Sequence, residues 1–255
     1  MTNHHIRSTC RLCSSPALAP LLTLPDTPLA NSYAQFPEDG QPVADGWGVG
    51  APPYRADRFP LYLVGCEVCG HVQLPVVVDP KRLFPADYAY QSGTSPVFRS
   101  HLEFLAGYLR GLLPGPARLL DIACNDGTFV ELAKMALIDA EGIDPAAPQR
   151  TGYTRGFFTE AWAKAAAADG ERYRVVTALN VAAHIDDMDG FTRGVKVLLE
   201  PGGLFVIEVG YLSDVVAKGR FTTIYHEHLS YHHLSPLLRF FRKHGMTLVD
   251  AERIE

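Results

Sequence analysis

From Ala117 onward, short apolar runs alternate with stretches whose apolar residues recur every three or four positions. The runs predict strands over 118–123, 140–144, 173–180, 204–209 and 246–250. The helical spacing predicts helices over 128–137, 160–168, 191–199, 213–218 and 235–244. Ahead of them, Phe98, Leu102, Leu105, Leu109 and Leu112 mark a helix over 97–113, which Pro114-Gly115-Pro116 ends. Strand–helix alternation at this spacing implies a parallel sheet with helices on both faces. The α/β class is therefore the expectation for this part of the chain.

Residues 1–80 lack that rhythm. Pro and Gly interrupt the stretch from Pro16 to Pro60, as at Pro52-Pro53, and predict an irregular lobe without long helices. Phe59-Pro60-Leu61-Tyr62-Leu63-Val64 and His71-Val72-Gln73-Leu74 are expected as short strands around a Cys-x-x-Cys knuckle, Cys66 and Cys69. A second knuckle, Cys10 and Cys13, supplies two more thiolates. Four thiolates are the set tetrahedral zinc prefers, and they leave no open position, so Zn2+ here would be structural. Disulfides are the rival reading, disfavoured in a reducing compartment. Cys124 stands apart and suits a small buried position.

Composition narrows the partners. The 255 residues are 47% hydrophobic, enough for one large core plus a small module. No apolar run is long enough to span a membrane, and the N-terminus lacks a signal-peptide core. A cytoplasmic protein without a membrane partner is expected. The formal net charge of −5 argues against a long nucleic-acid groove.

The first predicted strand runs into Asp121-Ile122-Ala123-Cys124-Asn125-Asp126-Gly127. An acid at a strand end, a small-residue turn and a glycine opening a helix make a nucleoside-cofactor loop. Asp144, ending the next strand, is placed to accept from ribose hydroxyls. The loop has one glycine rather than G-x-G-x-x-G, and Asp121 and Asp126 would repel a pyrophosphate. A carboxylate suits an aminoacyl cofactor better, so S-adenosyl-L-methionine is expected in place of NAD. An ordinary strand–helix turn without a ligand is the bland alternative.

Read together, the motifs resemble the NDP-sugar C-methyltransferases. The residues that carry the match are the two knuckles, Asp121 to Thr128, Asn180-Val-Ala-Ala-His184-Ile-Asp-Asp187, Pro201 to Val209 and Thr223-Ile-Tyr225-His226-Glu227-His228-Leu-Ser230-Tyr231. The resemblance spans residues 8–255. It implies a class I methyltransferase Rossmann-like sheet over 117–255, a zinc-binding domain over 1–80 and a helical linker with a cofactor lid over 81–116. It also implies methylation at carbon 3 of a 4-keto-6-deoxy nucleotide sugar. One departure is Ala123, where the family has a glycine. Another is the chain end, since family members continue beyond Glu255 with a further strand and a C-terminal domain. The expectation is an incomplete sheet with an open edge at 204–209, met by truncation or by a homo-oligomer.

Methylation at carbon needs a base, stabilisation of an enolate oxygen and in-line placement of the methyl group. By resemblance, His228 or Tyr225 is the base, Glu227 binds the sugar and His184 contacts the enolate or sugar. Asp121, Ala123, Asn125, Gly127, Asp144 and Asn180 are expected to line the cofactor site, with Tyr90 and Ser92 over it. Plainer readings stand beside these. His226, His228, His232 and His233 offer imidazoles for a metal or simply form a solvated turn. His184 is also a candidate core residue, and Tyr88 and Tyr90 candidate packing residues. An O- or N-methyltransferase, or a zinc-bearing binding module without catalysis, are the competing functions.

Overall fold

A computed structural model of the chain describes residues 4–31, 57–85, 88 and 90–254. Pro52-Pro53 and Asp87 lie outside the described residues. In chain order the elements are β1 (His4–Ile6), β2 (Leu18–Thr27), β3 (Phe59–Cys66), β4 (Val72–Gln73), β5 (Val76–Val78) and the short α1 (Pro80–Leu83). Then come α2 (Pro96–Leu112), β6 (Arg118–Ile122), α3 (Thr128–Met135), β7 (Asp139–Asp144), β8 (Tyr153–Arg155), α4 (Glu160–Ala168) and β9 (Tyr173–Leu179). The last are α5 (Met188–Leu198), β10 (Leu199–Glu208), α6 (Leu212–Ala217), β11 (Ser230–Tyr231) and α7 (Leu234–Lys243).

Five parallel strands form the main sheet in the order β10-β9-β6-β7-β8. The chain runs outward from β6 through β7 to β8, then returns to place β9 and β10 on the other side. The order therefore reverses between β6 and β9, and open sheets bind ligands beyond the carboxyl ends at such a point. One face of the sheet packs under α2 and α3, through Leu102, Ala106, Leu109, Phe129 and Val130. The other packs under α4 and α5, through Ala163, Phe191, Val195 and Leu198. Caps set the helix starts. Ser95 Oγ accepts from Phe98 N ahead of Pro96, and Asp187 Oδ1 accepts from Gly190 N.

The N-terminal lobe is more regular than its Pro and Gly content suggests. β2 pairs antiparallel with β3 along most of its length, despite Pro20 and Pro25. Proline is tolerated there because β2 is the edge of the four-stranded sheet β11-β4-β3-β2. The fourth strand, β11, comes from far down the chain. The lobe rests on the main domain through Cys10, Leu12, Cys66 and Cys69, packed with Ala182, Met188, Leu237 and Phe240. His71 and His232, both fully buried, stack across this seam at 5.4 Å.

Two expectations are corrected. Residues 246–250 form no strand. Leu248 and Val249 are exposed, and among the described residues no strand lies on the outer side of β10 to which the run is joined. Conversely, the segment after Asp144 contains β8, which pairs with β7 and was not expected. No helix of the described residues is long and apolar enough to cross a membrane.

Candidate functional site

The site begins where β6 turns into α3. Ala123, Asn125 and Gly127 take left-handed backbone conformations, with φ of 58, 51 and 80°. Such a conformation costs a non-glycine residue about 1–2 kcal/mol, and strain of this kind gathers at binding sites. Glycine is required at 127 on a second ground: a Cβ there would lie 2.5 Å from Tyr153 Oη. Asn180, at the end of β9, is also left-handed at φ 59°.

Register brings the polar groups together. Asp121 is opposite Thr177 in the β6–β9 pairing, and Thr177 Oγ1 donates to Asp121 Oδ1 at 2.6 Å. Burial pushes the Asp121 carboxyl up to about 7; the Thr177 hydrogen bond opposes the rise and nearby Asp144 adds to it. Asp144 accepts from Asn125 N at 3.1 Å and from Ala146 N at 2.6 Å, while burial raises its carboxyl. The segment before α2 latches onto this loop. Asn125 Oδ1 accepts from Ser92 N at 3.0 Å, Asn125 Nδ2 donates to Tyr90 O at 2.9 Å, and Asp126 Oδ2 accepts from Gly93 N at 2.9 Å. Ser92, Phe98, Asp121, Ala123 and Leu179 line a narrow cavity beneath the latch.

A second cluster hangs over the end of β9. Residues 225–228 form a turn closed by His228 N donating to Tyr225 O, so alternate side chains are not forced apart. Tyr225 Oη and His228 Nε2 are 3.0 Å apart, and His228 Nδ1 is 2.9 Å from Thr223 O. A carbonyl accepts only, so Nδ1 carries the proton and Nε2 offers its lone pair to the tyrosine hydroxyl. Burial lowers His228 to about 4, and His184 adds to the effect. Burial raises Tyr225 to about 12, with Glu227 and Tyr90 contributing.

His184 donates from Nδ1 to Glu227 O at 2.7 Å, and its ring lies 5.0 Å from that of His228. Burial lowers its pKa, while the carbonyls of Glu227 and Asn180 oppose the shift. Glu227 is buried. Its two oxygens accept from Asn31 Nδ2 at 2.6 Å and from Tyr88 Oη at 2.9 Å. Burial and the Glu227 carboxylate push Tyr88 strongly upward, so it remains a phenol and a donor. Tyr90, which adds to the rise of Tyr225, also accepts from Asn125 Nδ2, and the Asn180 carbonyl faces His184, so the cluster adjoins the β6–α3 loop and the end of β9.

Cys10, Cys13, Cys66 and Cys69 bring their sulfurs within 4.8 Å of one another, with Cys10–Cys69 and Cys13–Cys66 each at 3.5 Å. Tetrahedral zinc with sulfurs at about 2.3 Å sets them ~3.8 Å apart, so the set fits a metal without rearrangement. Among the described residues it is the only group of three or more such side chains that could hold one. The four histidines of 226–233 do not converge. His226 Nε2 faces Pro60 O, His232 Nε2 faces Ala182 O and His233 Nε2 faces Gly70 O.

Sequence reasoning missed several members. Asn31 carries no pattern that points to Glu227. His101 Nε2 lies 2.6 Å from Glu208 Oε2, and Asn180 Nδ2 donates to Glu208 Oε1 at 3.0 Å. Glu208 had a usable signal, since it is an acid ending an apolar strand as Asp121 is.

The chain is 31% identical over 253 residues to C-methyltransferase NovU of Streptomyces niveus, covering 95% of this chain and 56% of that protein. It is 34% identical over 104 residues to a ubiquinone biosynthesis O-methyltransferase of Azorhizobium caulinodans, covering 35% of this chain and 39% of that one. A solved SAM-dependent methyltransferase from Geobacter sulfurreducens, in complex with S-adenosyl-L-homocysteine, overlays at a TM-score of 0.41 and 18% identity, covering 68% of this chain and 73% of that chain. The chain spans about half the length of the first of these relatives. Residues 90–251 match the family described as "Methyltransferase domain", and the chain belongs to that family.

Proposed function

We propose that the protein is an S-adenosyl-L-methionine-dependent C-methyltransferase acting at carbon 3 of a 4-keto-6-deoxy nucleotide sugar. The observation that carries this reading is the Tyr225–His228–His184 group beside the buried carboxylate of Glu227, just past the end of β9. Carbon becomes nucleophilic only when a neighbouring carbonyl acidifies its C–H, and this group supplies a neutral base and a donor together. The similarity to a C-methyltransferase along almost the whole chain supports it.

S-adenosyl-L-methionine supplies an electrophilic sulfonium methyl. Asp121 is placed for its ammonium group, Asp144 for its ribose, and Ala123, Asn125, Gly127, Asn180, Tyr90 and Ser92 line the site. His228 Nε2 takes the proton from carbon 3, and the freed electron pair moves to the keto oxygen. Tyr225, held as a phenol, turns its hydroxyl from His228 to that oxygen. His184 and Glu227 contact the sugar. With the cofactor held by these residues, the enolate carbon would face the sulfonium methyl that it supplies. The four cysteines hold a structural zinc away from this chemistry.

The test offers dTDP-4-keto-6-deoxyglucose and the cofactor in deuterated water. Deuterium at carbon 3 and a carbon-bound methyl support the assignment. A methyl on oxygen or nitrogen without exchange at carbon 3 refutes it and favours the O-methyltransferase reading.

A further inference from the structure

The knuckle Cys10-Arg11-Leu12-Cys13 holds an arginine whose side chain is 0% exposed. A buried guanidinium is costly unless its donors are used, and here Nε and Nη1 are used while Nη2 is buried without a hydrogen-bond partner among the described residues. Arg11 Nε donates to Asp186 Oδ1 at 3.0 Å, and Nη1 donates to Leu74 O at 2.6 Å and Leu229 O at 3.1 Å. Asp186 lies two residues after His184, and Leu229 directly follows His228. The knuckle backbone is itself fixed, with Arg11 N donating to Gln73 Oε1 and Gln73 Nε2 donating to Thr9 O.

We infer that Arg11 is a positioning residue that carries the order of the cysteine knuckle into the reactive histidines. The route is short. Arg11 and Leu74 N both bond Leu229 O, and Leu229 N in turn donates to Glu227 O. Glu227 O is the carbonyl that holds His184 Nδ1, and the same turn carries His228. On the other side Asp186 is gripped by Arg11 and Arg7, which fixes the loop carrying His184. A planar fork aims fixed donors at three acceptors on three segments in this way, a geometry that a point-like ammonium does not reproduce. The four-cysteine site would therefore be tied to turnover as well as to folding. The inference rests on the reading of His184 and His228 as substrate-facing groups.

The experiment compares full-length wild type with Arg11→Lys and Asp186→Asn. Four quantities are measured: zinc content, S-adenosyl-L-homocysteine affinity by calorimetry, 15N tautomer signals of His184 and His228, and methyl transfer to dTDP-4-keto-6-deoxyglucose. Expected for both variants are wild-type zinc content and an affinity within about twofold. The histidine signals should move away from a single Nδ1-protonated form. Turnover should fall about 10- to 100-fold, with KM for the cofactor unchanged. Unmoved histidine signals with wild-type turnover would overturn the inference, as would loss of zinc in step with turnover. Should Arg11→Lys fail to fold, Asp186→Asn, at a partly exposed position, decides by the same readings. A wild type that does not methylate this sugar, with variants whose histidine signals still shift, refutes the substrate assignment and leaves the role of Arg11 standing.

Discussion

The hydroxyl of Tyr225 points its proton at the one unprotonated nitrogen of His228, 3.0 Å away, while the other nitrogen is committed to Thr223 O. This fixes the tautomer, while burial keeps His228 neutral. His228→Asn should cut deuterium exchange at the sugar carbon by about 10²- to 10⁴-fold and spare cofactor binding. Exchange at the wild-type rate would pass the base role to Tyr225. The neutral state has a folding signature too. The folded pKa lies near 4, below the ordinary 6.5, so the unfolded chain binds the extra proton between those values. Stability is fully present above pH 6.5 and falls as pH drops from there toward 4. Thermal melts of wild type against His228→Asn should show a shallower acid slope in the variant.

Asp121 gives a pH dependence of the same sign, here in ligand binding. Its carboxyl titrates near 7, and an ammonium group prefers the ionised form. The Kd for S-adenosyl-L-homocysteine should tighten about tenfold per unit as pH rises toward 7, then level off. Asp121→Asn should bind weakly at every pH with that slope abolished. Calorimetry across pH 5.5–8.5, chosen to bracket that titration, reads both outcomes.

Asp144 already accepts two backbone N–H groups and would add ribose hydroxyls. Asp144→Ala should cost about 1.5–3 kcal/mol of cofactor affinity. Wild-type affinity in that variant would remove Asp144 from the site.

Elemental analysis should find one zinc per chain, bound by Cys10, Cys13, Cys66 and Cys69. A strong chelator should lower the melting temperature, and Cys66→Ser should do so without a chelator. A metal-free preparation with unchanged stability would count against the assignment.

Gly127→Ala tests the loop without reference to substrate. The left-handed backbone alone costs about 1–2 kcal/mol, and the added methyl meets Tyr153 Oη at 2.5 Å. A lower melting temperature and weaker S-adenosyl-L-homocysteine binding are expected together. Tyr153→Phe keeps the ring, so it should not rescue the variant.

How legible these features were depends on whether the signal is local. The helix expected over 160–168 is α4 at the same residues, because its Ala-rich run and Thr159 cap are local facts. β8 was missed because Tyr153–Arg155 is too short to alternate, and its pairing with β7 is a tertiary gain. The run at 246–250 has strand composition but no partner, and composition cannot supply one. That Asp121, Asp144 and Asn180 sit at the ends of adjacent strands was readable from the apolar runs before them. Arg11 and Asp186 were not, since their meaning lies in hydrogen bonds between segments about 175 positions apart.

β11 gives the chain an order of assembly. The N-terminal sheet takes its last strand from Ser230–Tyr231, so it closes only after residue 231 has left the ribosome. Until then β4 offers a bare edge, and Leu74 lacks the Leu229 carbonyl that its amide bonds in the finished protein. The first lobe to be synthesised is thus among the last to be completed. Its assembly is a slow, long-range step during which exposed strands invite wrong partners. Expression conditions that slow aggregation, or that supply zinc early to hold the two knuckles together, should raise the yield of folded protein for this reason.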